Sequence, residues 1–125
     1  MPPDQIRLSE TAKDQLSQLK RRTGIKNWNV LCRWAFCRSL AEPTPPSPVP
    51  IPADSSVEMT WKVFGGANAD VYWALLRQRA HADGQALDED SLQKLFRLHL
   101  HRGISYLVGE KTLVSIEALV GNACK

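Results

Sequence analysis

The chain has 125 residues and a mass of 14.0 kDa, with 43% hydrophobic and 23% charged residues and a formal net charge of +3, the composition of an ordinary soluble globular protein. A chain of this length buries roughly two thirds of its unfolded surface, so it needs neither disulfide staples nor a structural metal, and its longest apolar run, Val71 to Leu76, is far short of the roughly 20 residues of a membrane span. Cut at residue 40, the charge separates into +5 (eight bases, three acids) and −2 (eight bases, ten acids), a polarity that suits a polyanion and equally a solvated face.

The amino terminus, Met1-Pro-Pro-Asp, has neither a basic region nor an apolar signal segment, so the expected location is the cytoplasm. Three cysteines, an odd number, fit reduced thiols there better than a disulfide framework. Gln5-Ile-Arg-Leu-Ser9 alternates with period two and predicts a short strand with Ile6 and Leu8 inward. Ser9 then caps a helix of about four turns whose inner face is Ala12, Leu16, Leu19 and Thr23 and which stops at Gly24. On its wheel Lys13, Ser17 and Lys20 form one stripe, with Arg21 beside it and Arg22 across the axis. The helix dipole accounts for one or two bases near a C-terminus, but not for five between Lys13 and Lys26.

A second helix is predicted over Asn29 to Leu40, with Asn27 or Asn29 as N-cap. Its apolar residues surround the wheel, which predicts burial of part of it against another copy of the chain, with Arg33 and Arg38 seeking solvent or an anionic partner. Six of the eight prolines fall between Glu42 and Ala53 and predict an extended strap laid over the surface. Val57 to Phe64 alternates and predicts a strand or extended segment ending at Gly65-Gly66. A third helix over Asn68 to Ala82 would bury Val71, Tyr72, Leu75 and Leu76 and close at Gly84. A fourth opens at Asp88-Glu-Asp-Ser, places Leu92, Leu95, Phe96 and His99 on one face, and ends or bends at Arg102-Gly103. From Ile104 to Val120 the composition is again helical, with Leu113, Ile116, Leu119 and Val120 among the candidate core residues. The predicted fold is mainly α with one or two short strands: a single compact domain over residues 1–125, with a basic strand–helix–helix segment (1–40), a Pro-rich connector (41–56) and a helical remainder (57–125).

Recognisable chemistry is sparse. His99 and His101 lie about 160° apart on a helix, His99 reads as a core residue, and no metal-ligand spacing occurs. Cys32 and Cys37 suit neither a zinc pair nor a redox Cys-x-x-Cys and read as buried thiols. No nucleophile has a base at a diagnostic spacing, Gly65-Gly66 lacks a phosphate-loop pattern, and no cofactor is expected. Of the four tryptophans, Trp28, beside Lys26 and Asn27, is the candidate for stacking on a base, while Trp34, Trp61 and Trp73 read as core.

The runs Ile6-Arg-Leu-Ser9, Leu19-Lys-Arg-Arg-Thr-Gly-Ile25, Asn29-Val-Leu-Cys-Arg-Trp-Ala-Phe-Cys-Arg-Ser-Leu40 and Glu42-Pro-Thr-Pro-Pro46, with Tyr72-Trp-Ala-Leu-Leu-Arg77, Asp88-Glu-Asp and Phe96-Arg-Leu-His-Leu-His-Arg-Gly-Ile104, resemble the DndE family of DNA sulfur modification proteins over about residues 5 to 108. The resemblance implies a part in bacterial DNA phosphorothioation, in which other subunits carry the cysteine desulfurase and ATP-using activities. It also implies a small, non-catalytic protein that binds duplex DNA, preferably nicked, as a homo-oligomer (tetramer or dimer) alongside the other modification subunits, with no membrane partner.

The strand–helix–helix order also looks like half of a ribbon–helix–helix, in which Gln5, Arg7 and Ser9 would face bases and the amide end near Asn27 a phosphate. The basic segment and the resemblance together nominate Lys13, Lys20, Arg21, Arg22 and Lys26, with Arg7, as phosphate contacts. Two other classes compete: an assembly protein whose basic face and Pro-rich strap meet other subunits, and an enzyme using Cys32, Cys37 or Cys124 as a sulfur carrier.

Overall fold

The structure, a computed structural model, describes residues 1–110. It is mainly helical, with a two-stranded antiparallel ribbon. Strand β1 (Gln5–Arg7) pairs with β2 (Glu58–Thr60), placing Ile6 opposite Met59 and Arg7 opposite Glu58. Ile6, Leu8 and Met59 turn inward, as the alternation requires. The strand–helix–helix order of the first forty residues is present, but β1 finds its partner within the chain, in β2, rather than in a second copy.

Helix α1 (Glu10–Thr23) starts where Ser9 Oγ accepts the Ala12 amide at 3.1 Å, and it stops at Gly24, whose φ of 76° is costly for any residue with a Cβ. Ala12, Leu16 and Leu19 form its buried stripe. Helix α2 (Trp28–Ala41) has Asn27 at its N-cap position, but the Asn27 side chain makes no capping bond. Every residue from Trp28 to Leu40 is at least half-buried. The chain itself supplies that cover through α1, α5 (Glu89–Gly109) and the short α3 (Trp61–Gly65), so the apolar circumference of α2 does not require a second copy.

The alternating segment after Val57 ends at Thr60 rather than Phe64. Thr60 Oγ1 accepts the Val63 amide at 3.1 Å and turns the chain into α3. A 3₁₀ turn (Gly66–Asn68) leads into α4 (Ala69–Ala82). The buried face of α4 is Trp73, Leu76 and Ala80, with Tyr72 half-buried, while Val71 and Leu75 are 54% and 40% exposed. This departs from the predicted face because Trp61, Phe64 and Phe96 form an aromatic cluster that Trp73 joins edge-on at 5.6 Å from Trp61.

Asp88 caps α5, its carboxylate accepting the Ser91 amide at 3.0 Å, and the hydrogen bonds of Ser91 hold this carboxyl below its ordinary range. The helix passes straight through Arg102-Gly103, because Gly103 marks the contact with α2 and not an end. The candidate core residues Leu113, Ile116, Leu119 and Val120, and Cys124, lie outside the described residues. Among the described residues no helix is long and apolar enough to cross a membrane.

Residues 42–57 form neither helix nor strand and run over the surface as a strap. Three guanidinium groups hold its carbonyl oxygens and those at the end of α2 that precede it. Arg79 donates to Leu40, Glu42 and Thr44, Arg102 to Ser39 and Thr44, and Arg97 to Ile51 and Pro52, at 2.7–3.1 Å. Prolines leave carbonyls without a regular ladder partner, and these arginines satisfy several of them.

Candidate nucleic-acid interface

The six nominated bases divide by what each already does. Arg7 is paired with Glu58 across the ribbon at 2.9 Å. Lys13 lies 3.7 Å from Glu10, one helix turn away. Arg22 turns away from the Lys13–Lys20 stripe and donates to the Val108 carbonyl at 2.8 Å, tying α1 to the end of α5. Lys20 sits over the Trp28 ring, 4.4 Å from its centroid, a cation–π contact that fixes the ammonium at the α1–α2 turn. Arg21 and Lys26 are exposed in the same turn, and neither has a hydrogen bond or ion pair among the described residues.

The structure therefore brings together Lys20, Arg21 and Lys26 around the α1–α2 turn. Lys13 lies two turns back along α1, about 10 Å from Lys20 by helix rise, and Arg7 stands apart on the ribbon. The positive end of the α2 dipole opens into this turn. Trp28 packs against the core and carries Lys20 on its ring, so its part here is to position a charge rather than to offer a free face to a base. Ser9 is buried as the α1 cap and does not face outward with Gln5 and Arg7.

The remaining bases of the segment also separate. Arg38 pairs with Glu110 at 2.7 Å and lies over Tyr106. Arg33 has no hydrogen bond or ion pair among the described residues, and its Nε is buried. Asn29 donates from Nδ2 to the Val63 carbonyl at 3.3 Å, which brings α3, and with it the exposed Lys62, beside the N-terminal half of α2. Lys62 was missed in the sequence because nothing local links residue 62 to residue 29.

Cys32, His99 and His101 are occupied by structure. Cys32 is fully buried, and burial pushes its thiol up to about 12, so it stays protonated and a poor nucleophile. Cys37 is half-buried. His99 is buried with Nδ1 2.8 Å from Ser39 Oγ, and burial, reinforced by the charges of Arg102 and Arg79, lowers it to about 4. His101, expected on the opposite side of the helix, is buried too. Its Nδ1 lies 2.8 Å from the Arg97 carbonyl, its Nε2 accepts the Ser9 amide at 3.2 Å, and burial lowers it to about 4. Among the described residues no group of three or more His, Cys, Asp or Glu is placed to hold a metal.

Comparison with known proteins places this arrangement. The family model of the DNA sulphur modification protein DndE matches residues 5–115. The crystal structure of DndE from Escherichia coli B7A, involved in DNA phosphorothioation modification, is similar with a TM-score of 0.72 and 28% identity, over 86% of this chain and 98% of that one. A glycine-to-lysine mutant of DndE has the same fold, with a TM-score of 0.67 and 23% identity over 86% of this chain and 100% of that one. Curated protein sequences gave no match. With the family match spanning most of its length, the chain belongs to the DndE family of DNA sulphur modification proteins.

Proposed function

We propose that this protein is a non-catalytic, DNA-binding subunit of a DNA phosphorothioation system, gripping the phosphate backbone of duplex DNA, preferably nicked, through the basic surface at the α1–α2 turn. The observation that carries the reading is the division of labour among the bases. Arg7, Lys13, Arg38 and Arg79 are ion-paired, and Arg22, Arg97 and Arg102 are bonded to carbonyls. Arg21 and Lys26 stand exposed beside Lys20. Exposed Arg77 and Lys94 are left over as well, but singly on other helices; the left-over charges that gather in one turn are the ones placed to meet a polyanion. The crystal structure from Escherichia coli B7A supports the biological setting, since that protein is involved in DNA phosphorothioation modification.

A non-catalytic role accords with the buried, protonated Cys32 and with two histidines held neutral inside the core. Exposed Val71 and Leu75 on α4 give a further copy or another modification subunit an apolar surface to meet. The strap suits the docking role less well, because Arg79, Arg97 and Arg102 already hold its backbone.

The test is a competition among intact, nicked and single-stranded DNA of one sequence, on protein whose mass in solution has been measured. Preferential retention of nicked duplex is the expected result. Failure to bind any DNA at low salt, together with co-purification of another modification subunit, would replace this reading with that of an assembly protein.

A further inference from the structure

Arg33 is a half-buried cation that the described residues leave without a partner. Its Nε is buried, and among the described residues no acceptor or carboxylate reaches the guanidinium. A polar group in that position bears the cost of desolvation without the return of a hydrogen bond. The guanidinium lies against Gly66, with its terminal atoms 3.8–4.0 Å from the point a Cβ would occupy. Gly66 has φ 57° and ψ −138°, a conformation essentially restricted to glycine, so the backbone there is held in place under the guanidinium. One turn earlier on the same helix, the bond from Asn29 to the Val63 carbonyl fixes α3 alongside, with Lys62 next in sequence to Val63.

We propose that Arg33 and Lys62 receive a backbone phosphate of duplex DNA, extending the surface at the α1–α2 turn along α2; this rests on the DNA-binding reading given above. The Arg33 fork can hold two phosphate oxygens while Lys62 supplies a second, more mobile charge. Continuity favours this ligand. Trp28, which carries Lys20, and Arg33 are five residues apart on α2, about 7.5 Å along the axis. A DNA strand presents a phosphate about every 3.4 Å of its axis, so bases spaced along this helix can meet successive phosphates of one strand. A carboxylate of a second copy is the competing occupant; it carries the same single charge as one phosphate, but it does not continue as a row of charges along α2 as a DNA strand does.

The test is binding of a short nicked duplex by fluorescence anisotropy across a salt series, for wild type, Arg33→Gln, Arg33→Lys, Lys62→Gln and, as a control for net charge, Lys94→Gln, which alters an exposed lysine on α5. Each variant is checked for solution mass and thermal midpoint. Arg33→Gln is expected to weaken binding about tenfold, and Arg33→Gln and Lys62→Gln each to flatten the salt dependence by about one unit. Arg33→Lys should recover part of the affinity and the full salt slope, and Lys94→Gln should match wild type.

Wild-type affinity and slope in folded Arg33→Gln would overturn the proposal, as would an equal loss in Lys94→Gln. A fall in solution mass with Arg33→Gln would overturn it in favour of the second-copy carboxylate. Wild-type protein that binds no DNA would instead remove the DNA-binding reading itself.

Discussion

Gly103 lies against the backbone of Ala35 so closely that a Cβ built on Gly103 would overlap the Ala35 carbonyl. This approach lets α5 and α2 pack most extensively of all the elements, and it sets Phe36 against Phe96, with ring centroids 5.2 Å apart. Because the obstacle is backbone, no side-chain rotation relieves it. Gly103→Ala is expected to cost about 3 kcal/mol or more, or to prevent folding. A urea midpoint unchanged from wild type would contradict the packing described.

The two buried histidines give a stability that depends on pH with a defined sign. A carbonyl can only accept, so His101 Nδ1–H donates to Arg97 and Nε2 is left to accept the Ser9 amide; protonating Nε2 destroys that bond. Both rings titrate near 4 in the fold against an ordinary 6.5, principally because of burial. Their contribution is therefore complete above pH 6.5 and is lost as the pH falls from 6.5 towards 4, by about 1.4 kcal/mol per pH unit per histidine. Urea unfolding at pH 7 and pH 5 is expected to show a loss of about 2 kcal/mol from each ring, with His101→Asn retaining only the share of His99. Equal stability at the two pH values would contradict it.

Arg79 holds the strap at the Glu42 and Thr44 carbonyls and the end of α2 at Leu40, and is itself held by Asp83 at 2.7 Å. Arg79→Ala is expected to destabilise the protein by about 2–3 kcal/mol and to open residues 42–57 to proteolysis. Exposed Arg77 on the same helix should tolerate alanine within about 0.5 kcal/mol. A strap that resists protease equally in Arg79→Ala and wild type would show that the clamp is not what retains it.

Cysteine substitutions separate structure from sulfur chemistry. Cys32→Ala should cost about 1 kcal/mol through lost packing while phosphorothioation of cellular DNA continues, because a thiol raised to about 12 does not supply a thiolate. Retained modification is also expected for Cys37→Ser and Cys124→Ser. Loss of modification in any folded variant of the three would revive the sulfur-carrier reading.

Local signals were legible in the sequence where a single side chain settles them. The Ser9 cap, the Gly24 stop, the inward Ile6 and Leu8 and the core position of His99 are all as read. Residues whose role depends on distant chain were not. The alternation after Val57 continues past Thr60, yet Thr60 is a cap; Val71 and Leu75 lost the inner face of α4 to Trp73, which an aromatic cluster from two other helices recruits. Gly103 carries the same letter whether it ends a helix or admits a neighbour. The candidate site was half legible: the basic segment stood out, but that Arg22 serves Val108 while Arg33 serves nothing is decided by partners 86 residues away or by their absence among the described residues.

The most direct measurement is the salt dependence of duplex binding by wild type and by a Lys20→Ala, Arg21→Ala, Lys26→Ala triple variant shown to be folded. Each phosphate contact contributes about 0.9 to the slope of log affinity against log salt. A basic surface at the α1–α2 turn requires the variant to bind more weakly with a slope shallower by about three units. An unchanged affinity and slope in the folded variant would contradict it.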